Sequence, residues 1–352
     1  VSPGAGSPWD VSRAALYDQL NALSPARRET FVKAIVNTKY GQPDVLELKE
    51  VVKPAPAADE ILVKVLAVSV NRSDWEGLTG KPLYARMNGL RKPRRQILGS
   101  DVAGRVEAVG SGHTDFKLGD EVFGEMESYS GGFAEYVCTR GKHWALKPPS
   151  MTFEEAASIP QAAVIALQGI RDQGHLQSGE SVLINGAGGG SGTFAVQLAK
   201  SYGAQVTGID NAEKLGFMRS LGADDVIDYS KEDFTKNGLQ YDLILDLVAD
   251  RSVSAYSRAL KPGGRYYAVG GSVATFLQIL AFGWWFRKRS KKNLSVLVVR
   301  RNRRDLIYVT ELCQTGKLHP VIDRTYTLSE VPAALSHLGE GRAKGKLVIT
   351  VP

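Results

Sequence analysis

Val182–Gly192, VLINGAGGGSG, decides how this chain is built. A β-branched run ends at Asn185 and drops into five glycines within seven residues. The residues after them, SGTFAVQLAKSYG, have helical spacing, with Ala195, Leu198, Ala199 and Tyr202 on one face. Strand, bare loop and helix in that order divide the work among glycines. One makes the tight turn, one lets backbone approach a pyrophosphate, and one lets helix pack on strand. Read as [G/A]xGxxG, those positions are Ala187, Gly189 and Gly192, with Gly188, Gly190 and Ser191 completing the loop. The free N–H groups and dipole of the helix N-terminus then favour an anion. Asp210 follows eighteen residues after Gly192, at the end of the next strand, where an acid meets ribose hydroxyls. The loop is expected to hold a dinucleotide. No GxxxxGK[ST] occurs, so this is not an NTPase loop.

Working outward, the alternation continues. QVTGID, DVIDY, YDLILDLVA and RYYAVGG read as strands; AEKLGFMRSLG and SVSAYSRAL read as helices, the second stopped by Pro262-Gly263-Gly264. Continuous apolar strands alternating with helices imply a parallel sheet covered on both faces. Upstream, KAIVNTKYG, ILVKVLAVSVN, DVAGRVEAVGSG, GDEVFGE and FAEYVCT are short strands broken by turns, a compact and mostly antiparallel barrel or sandwich. Thr152 and Glu155 form a capping box before a helix that Pro160 must break or bend. The tail from Pro320 returns to β texture around one short helix. The expected division is an N-terminal extension (1–30), a β-rich domain (31–155), a dinucleotide domain (156–304) and a return to the first domain (305–352). Asp10–Leu23 in the extension reads as a short helix.

With 352 residues, 43% hydrophobic and 23% charged, the composition is that of a soluble globular protein with two cores. The net charge of +7 is local: Arg287–Arg304 carries nine Lys/Arg and no acid. Two distant cysteines, Cys138 and Cys313, suit a reducing, cytoplasmic compartment rather than a disulfide framework. The five histidines show no metal-binding spacing. No apolar run approaches the roughly 18–20 residues of a membrane span, and no signal or transit segment is evident.

The motifs VNRSDW, ILGSDVAGRVEAVGSG, GDEVFGE, GGFAEYV, INGAGGGSGTFAVQLAKSYGA, LGADDVIDY, YDLILDLV, LKPGGRYYAVGG and GKLVITV follow one another from Phe31 to Pro352. In that order they resemble the medium-chain dehydrogenase/reductase superfamily, in its zinc-free quinone oxidoreductase-like branch. The resemblance implies an α/β fold: a GroES-like β-rich catalytic domain split around a Rossmann doubly wound parallel sheet, with the active site in the cleft between. The zinc members carry their metal ligands at the positions of Asn71, Ser100 and Gln161, none a good zinc ligand here, so a metal-free site is expected.

Without a Lewis acid, reduction favours an acceptor that spreads its own charge. The resemblance therefore implies an NAD(P)H-dependent oxidoreductase passing hydride to a quinone or an α,β-unsaturated carbonyl. Asn71 is the expected catalytic residue, its amide donating to the substrate oxygen, against the plainer role of closing a turn before Arg72. Tyr84 is a proton relay or only a rim aromatic. Lys346, with Asp74, is expected near the pyrophosphate; Val248, Gly270 and Gly271 are expected along the cofactor. Ser191 replaces the family's usual Val, and Ile165 stands where relatives often carry Thr. Lys214 and Tyr229 match NADPH-using relatives, but Asp210 would oppose a 2′-phosphate by about 3 kcal/mol per charge pair at an effective dielectric of ~20. The lean is to NADH.

Relatives place a dimer strand and a cleft-mouth loop in the region of WWFRKRSKKNLSVLVVRRNRRD. The plain expectation is a solvated basic loop beside the homodimer strand LSVLVV. The sharper one is peripheral membrane contact through 284–304, aromatics and cations together meeting an anionic surface; a nucleic-acid patch is less favoured. The competing function is a non-catalytic or moonlighting dinucleotide-binding protein acting through the basic 287–304 patch.

Overall fold

The computed structural model describes residues 30–352, so the helix expected at Asp10–Leu23 lies outside the described residues. A hairpin of β1 (Phe31–Asn37) and β2 (Leu46–Val52) precedes β3 (Ile61–Val70), α1 (Arg72–Thr79), β4 (Asp101–Val109), β5 (Glu121–Glu125), β6 (Tyr136–Thr139) and β7 (Trp144–Leu146). Helices α2 (Phe153–Ser158) and α3 (Pro160–Leu167) lead to β8 (Ser181–Asn185), α4 (Gly190–Ser201), β9 (Gln205–Asp210), α5 (Leu215–Ser220) and β10 (Asp225–Asp228). Then come β11 (Tyr241–Asp246), α6 (Val253–Arg258), β12 (Leu260–Ala268), α7 (Val273–Ser290) and β13 (Asn293–Val296). The chain closes with α8 (Arg303–Gln314), β14 (Ile322–Thr327), α9 (Val331–Gly339) and β15 (Lys346–Thr350).

The second sheet runs β10-β9-β8-β11-β12-β13, every pair parallel. The strand order reverses beside β8, which opens a ligand crevice at the carboxyl ends of the strands. Its centre is apolar on both faces: Val182, Leu183, Ile184, Leu243, Ile244 and Leu245 are fully buried. In the first sheet β3 is the hub. Ile61–Lys64 pair with β6, Ala67–Val70 with β15, and the other edge with β4. Register shifts along β3–β4 bend the strand so that it serves three neighbours, the geometry of a closing barrel.

Alanines hold the two sheets together. Ala156, Ala157, Ala162, Ala163 and Ala166 of α2 and α3 sit in one core with Ala67, Ala103 and Phe123 of the first sheet and Val182 and Leu243 of the second. Small side chains let these helices lie close to both sheets. The capping box at Thr152–Glu155 forms, and Pro160 opens a new helix at its first position, where no N–H is needed.

Three expectations need correction. Pro262-Gly263-Gly264 does not stop the preceding helix, which ends at Arg258; it bulges inside β12, where the register jumps between Tyr241 and Leu243. Residues 284–290 are not a loop but the last turns of α7, closed by Lys291 in the left-handed conformation. Of the expected strand LSVLVV only Leu294–Val296 lies in β13, because the Gln173 side chain takes both backbone groups of Val298 and the Gln168 side chain those of Arg300.

Candidate active site

The glycine loop lies at the carboxyl end of β8 and opens α4, and no side chain caps that helix. Two glycines in it serve opposite needs. A Cβ on Gly192 would stand 2.1 Å from the Gly186 carbonyl, so the loop's own folding demands glycine. A Cβ on Gly189 would meet only the Gly186 carbonyl at 3.4 Å. Nothing in the protein forbids a side chain there; it would fill the cradle before the free N–H groups. Ala187 is buried, its methyl against Gly208. These features fit a dinucleotide pyrophosphate.

Asp210 ends β9 as expected, but its carboxylate is not free. It accepts from the N–H of Gly188 at 3.0 Å and of Asn211 at 2.9 Å, and pairs with Lys214 at 3.2 Å. Tyr229 is exposed beside this pair, its N–H on the Asp210 carbonyl at 3.2 Å. Ala249 bridges to Gly271 and donates to the Gly270 carbonyl, while Val248 stands exposed against Gly186. These residues therefore share the crevice with the loop. Ile165 lies half-buried on α3, and Ser191 in the first turn of α4.

Lys346 joins the loop to the other domain. Gly189 and Gly345 form a bridge, the Gly345 N–H donates to the Gly188 carbonyl at 3.0 Å, and the Lys346 stem packs on Gly190. The ammonium, almost wholly buried, donates to the side-chain carbonyl of Asn71. That bond fixes the Asn71 amide, whose two hydrogens reach Ser100 Oγ and Asp101 Oδ2, each at 3.0 Å. Asn71 does precede α1, but its side chain faces this network, and both hydrogens are already in use. A substrate oxygen would meet it only by displacing one of those bonds.

Asp74 departs from expectation. It is neither solvated nor bonded to Lys346: its carboxylate accepts from the N–H of Asn71 at 2.8 Å and of Gly99 at 3.0 Å. Asp101 Oδ2 also accepts from the Gln161 N–H at 3.1 Å, while its Oδ1 has no partner. Gln161 Nε2 reaches Glu125 at 3.0 Å. Three carboxyl groups and one ammonium thus share a dry cluster. Burial pushes Asp74 up to about 7, and burial with the neighbouring Asp101 charge pushes Glu125 up to about 8. Burial lowers Lys346, against the pull of the three acids. Sequence reasoning passed over Asp101 and Glu125 as acting groups: they stand at the ends of β4 and β5 among strands that also carry Arg105, Glu107 and Glu121, so no local signal set them apart.

The positions of Asn71, Ser100 and Gln161 do come together around Asp101. Two amides and a hydroxyl, with an ammonium already on Asn71, do not suit zinc, and among the described residues no His/Cys/Asp/Glu group is placed for a metal.

Tyr84 stands apart, partly exposed. Its hydroxyl lies 3.4 Å from both oxygens of Glu76, and its ring 6.3 Å from that of Phe276 on α7. Burial and Glu76 push the phenol up to about 12. The basic segment is divided. Arg301 donates to the carbonyls of Met126 and Glu127 and covers Tyr129; Arg303 bonds Asp115 and the Gly141 carbonyl. These two fasten one domain to the other rather than forming part of a solvated or membrane-facing patch.

Residues 57–150 match the alcohol dehydrogenase GroES-like domain, and 221–349 the zinc-binding dehydrogenase family. The chain is 34% identical to tomato (Solanum lycopersicum) 2-methylene-furan-3-one reductase, covering 90% of this chain and 79% of that one. It is 33% identical to the chloroplastic NADPH-dependent alkenal/one oxidoreductase of Arabidopsis thaliana, covering 94% and 82%. The quinone oxidoreductase of Coxiella burnetii superposes with a TM-score of 0.82 at 30% identity, covering 92% of this chain and all of that one.

Proposed function

The chain belongs to the medium-chain dehydrogenase/reductase superfamily, in its quinone oxidoreductase-like branch, and on that premise we propose that it reduces quinones or α,β-unsaturated carbonyls with NAD(P)H. The observation that carries this reading is Lys346, which touches the loop glycine Gly190 and holds the Asn71 side chain at once. A bound reduced nicotinamide supplies the hydride. Reduction of a quinone takes that hydride and one proton, giving hydroquinone; an enone takes the hydride at its β-carbon and the proton at the α-carbon.

The residues of this chain serve the oxygen and the proton. Ser100 Oγ accepts from Asn71, leaving its own hydrogen for another acceptor. With the Lys346 ammonium it would stabilise charge gathering on a substrate oxygen. Tyr84, protonated at neutral pH and partly exposed, suits proton delivery at the mouth.

NADH is the favoured cofactor, because Asp210 stands where ribose hydroxyls would lie, and Lys214 offsets enough of its charge to admit NADPH as the poorer alternative. A homodimer through the outer edge of β13 belongs to the same reading, as does a reducing, cytoplasmic setting, which the two free cysteines support. The test is oxidation of NADH and NADPH by the purified chain with 9,10-phenanthrenequinone and, separately, with an alkenal. Turnover of either acceptor is expected; cofactor binding without turnover on both would overturn the reading.

A further inference from the structure

Helix α7 is held to the body by a narrow stripe, Thr275, Ile279 and Gly283, with Phe286 half-covered below. Its opposite side is apolar, and no other described element covers it. Val273, Leu277, Leu280, Trp284 and Trp285 are exposed there, Leu280 at 73% and Trp284 at 66%, and Phe282 is exposed at its flank. A monomer rarely leaves so much contiguous apolar surface in water without a partner for it. No helix among the described residues is long and apolar enough to cross a membrane, so any lipid contact here is made from one side.

Charge indicates what the partner is. Arg251–Arg304 holds thirteen Lys/Arg and no acid over fifty-four residues. Those nearest the first domain and β12 are satisfied by acids elsewhere: Arg251 by Asp233, Lys261 by Asp242, Arg265 by Glu180 and Arg303 by Asp115. Among the described residues, the five at the end of α7 have only neutral partners. Arg287 donates to Asn293, Lys292 to the Ser257 carbonyl, and Lys288 and Arg289 stand over the rings of Trp284 and Trp285; Lys291 caps the helix. A second copy would bring this end against a surface made by the same acid-free stretch. A phosphate-bearing lipid surface supplies the anions. Apolar turns, then paired tryptophans, then cations is the order in which side chains meet acyl chains, the interface and headgroups.

Near the other end of the helix the ring of Phe276 lies 6.3 Å from that of Tyr84, the residue that the proposed function sets at the cleft mouth. We propose that the outward face of α7 docks on an anionic bilayer, and that an acceptor with a long apolar tail passes from the lipid into the cleft mouth beside Phe276 and Tyr84. The hand-off rests on the reductase reading; the docking does not.

The test sediments the full chain with vesicles of phosphatidylcholine alone or enriched in phosphatidylglycerol. It also follows NADH oxidation with a water-soluble quinone and with a prenylated quinone dissolved in the vesicles. We expect co-sedimentation with the anionic vesicles only. Leu280→Asn/Trp284→Ser and, separately, Lys288→Gln/Arg289→Gln should each lower partition roughly tenfold, in line with lost interfacial and polybasic contacts. Both variants should keep the rate on the soluble quinone and lose rate on the embedded one. Absence of wild-type binding to anionic vesicles overturns the docking, even if soluble quinone is turned over. Conversion of a dimer to a monomer with partition unchanged assigns the face to a second copy and overturns it too. So does loss of a single-stranded RNA probe with partition unchanged. Vesicle binding with neither quinone reduced overturns the reductase reading and the hand-off, and leaves the docking standing.

Discussion

Lys346 reaches across 275 residues of chain to donate to the side-chain carbonyl of Asn71, and its stem lies against Gly190 of the glycine loop. One buried ammonium therefore sets the orientation of the Asn71 amide and touches the glycine loop. Asp101, on the far side of Asn71, makes the largest contribution favouring the charged form of Lys346, against its burial.

Replacing Lys346 by Met should remove that cation, leaving the Asn71 carbonyl without its donor and Asp101 without its largest source of positive charge. Leaving a buried polar group without its partner costs about 1–3 kcal/mol, and more where a charge is involved. Denaturant unfolding should show a loss of that order, and the double variant Lys346→Met/Asp101→Asn should recover part of it. A double variant no more stable than the single one would show that the two groups are uncoupled.

The two loop glycines should separate folding from binding. Gly192→Ala collides with the Gly186 carbonyl and should yield little folded protein. Gly189→Ala has room within the protein, so it should fold with a normal Tm yet bind NADH at least roughly tenfold more weakly, since the methyl enters the phosphate cradle. Calorimetric titration of the folded variant decides it; wild-type affinity would mean the pyrophosphate lies elsewhere.

Glu125 should make stability pH-dependent in a definite direction. Its carboxyl titrates near 4.5 when unfolded and about 8 when folded. Between these values the folded state holds a proton that the unfolded state has released, so stability falls as pH rises through that window. Asp74, raised to about 7, acts in the same sense. Glu125→Gln keeps the acceptor for Gln161 and has no proton to lose. Its Tm should exceed that of wild type above about pH 8 and lose the advantage near pH 5. A gap independent of pH would exclude this origin.

Asp210 and Lys214 should act in opposition on cofactor choice. Asp210→Ser leaves the Lys214 cation beside the ribose site, and kcat/KM should shift toward NADPH by roughly tenfold or more. Lys214→Ala leaves the carboxylate unopposed and should reduce NADPH use more than NADH use. No change in the NADPH/NADH ratio in either variant would place the ribose away from this pair.

Much of this protein was legible before folding because the signals are short-range. Ala187–Gly192, the strand before and the helix after are written within some twenty residues, and apolar strands alternating with helices announce a parallel sheet. The capping box at Thr152 and the break at Pro160 are local for the same reason. The failures fall where a distant partner outweighs local preference. Gln173 withdrew the backbone of Val298 from the expected strand, and Gln168 holds that of Arg300 just beyond it. Arg301 and Arg303 look like part of a basic patch, yet spend their donors on the other domain.

By itself the sequence determined the fold class, the strand–glycine loop–helix unit and the absence of good zinc donors at Asn71, Ser100 and Gln161, because glycine conformation, side-chain period and ligand chemistry are properties of residues and their neighbours in the chain. Only the tertiary structure decided that Asp74, Asp101, Glu125 and Lys346 share one buried site, that the hydrogens of Asn71 are already engaged, and that Phe276 of α7 lies beside Tyr84. Those depend on which surfaces lose water together, and desolvation is settled by packing across hundreds of residues.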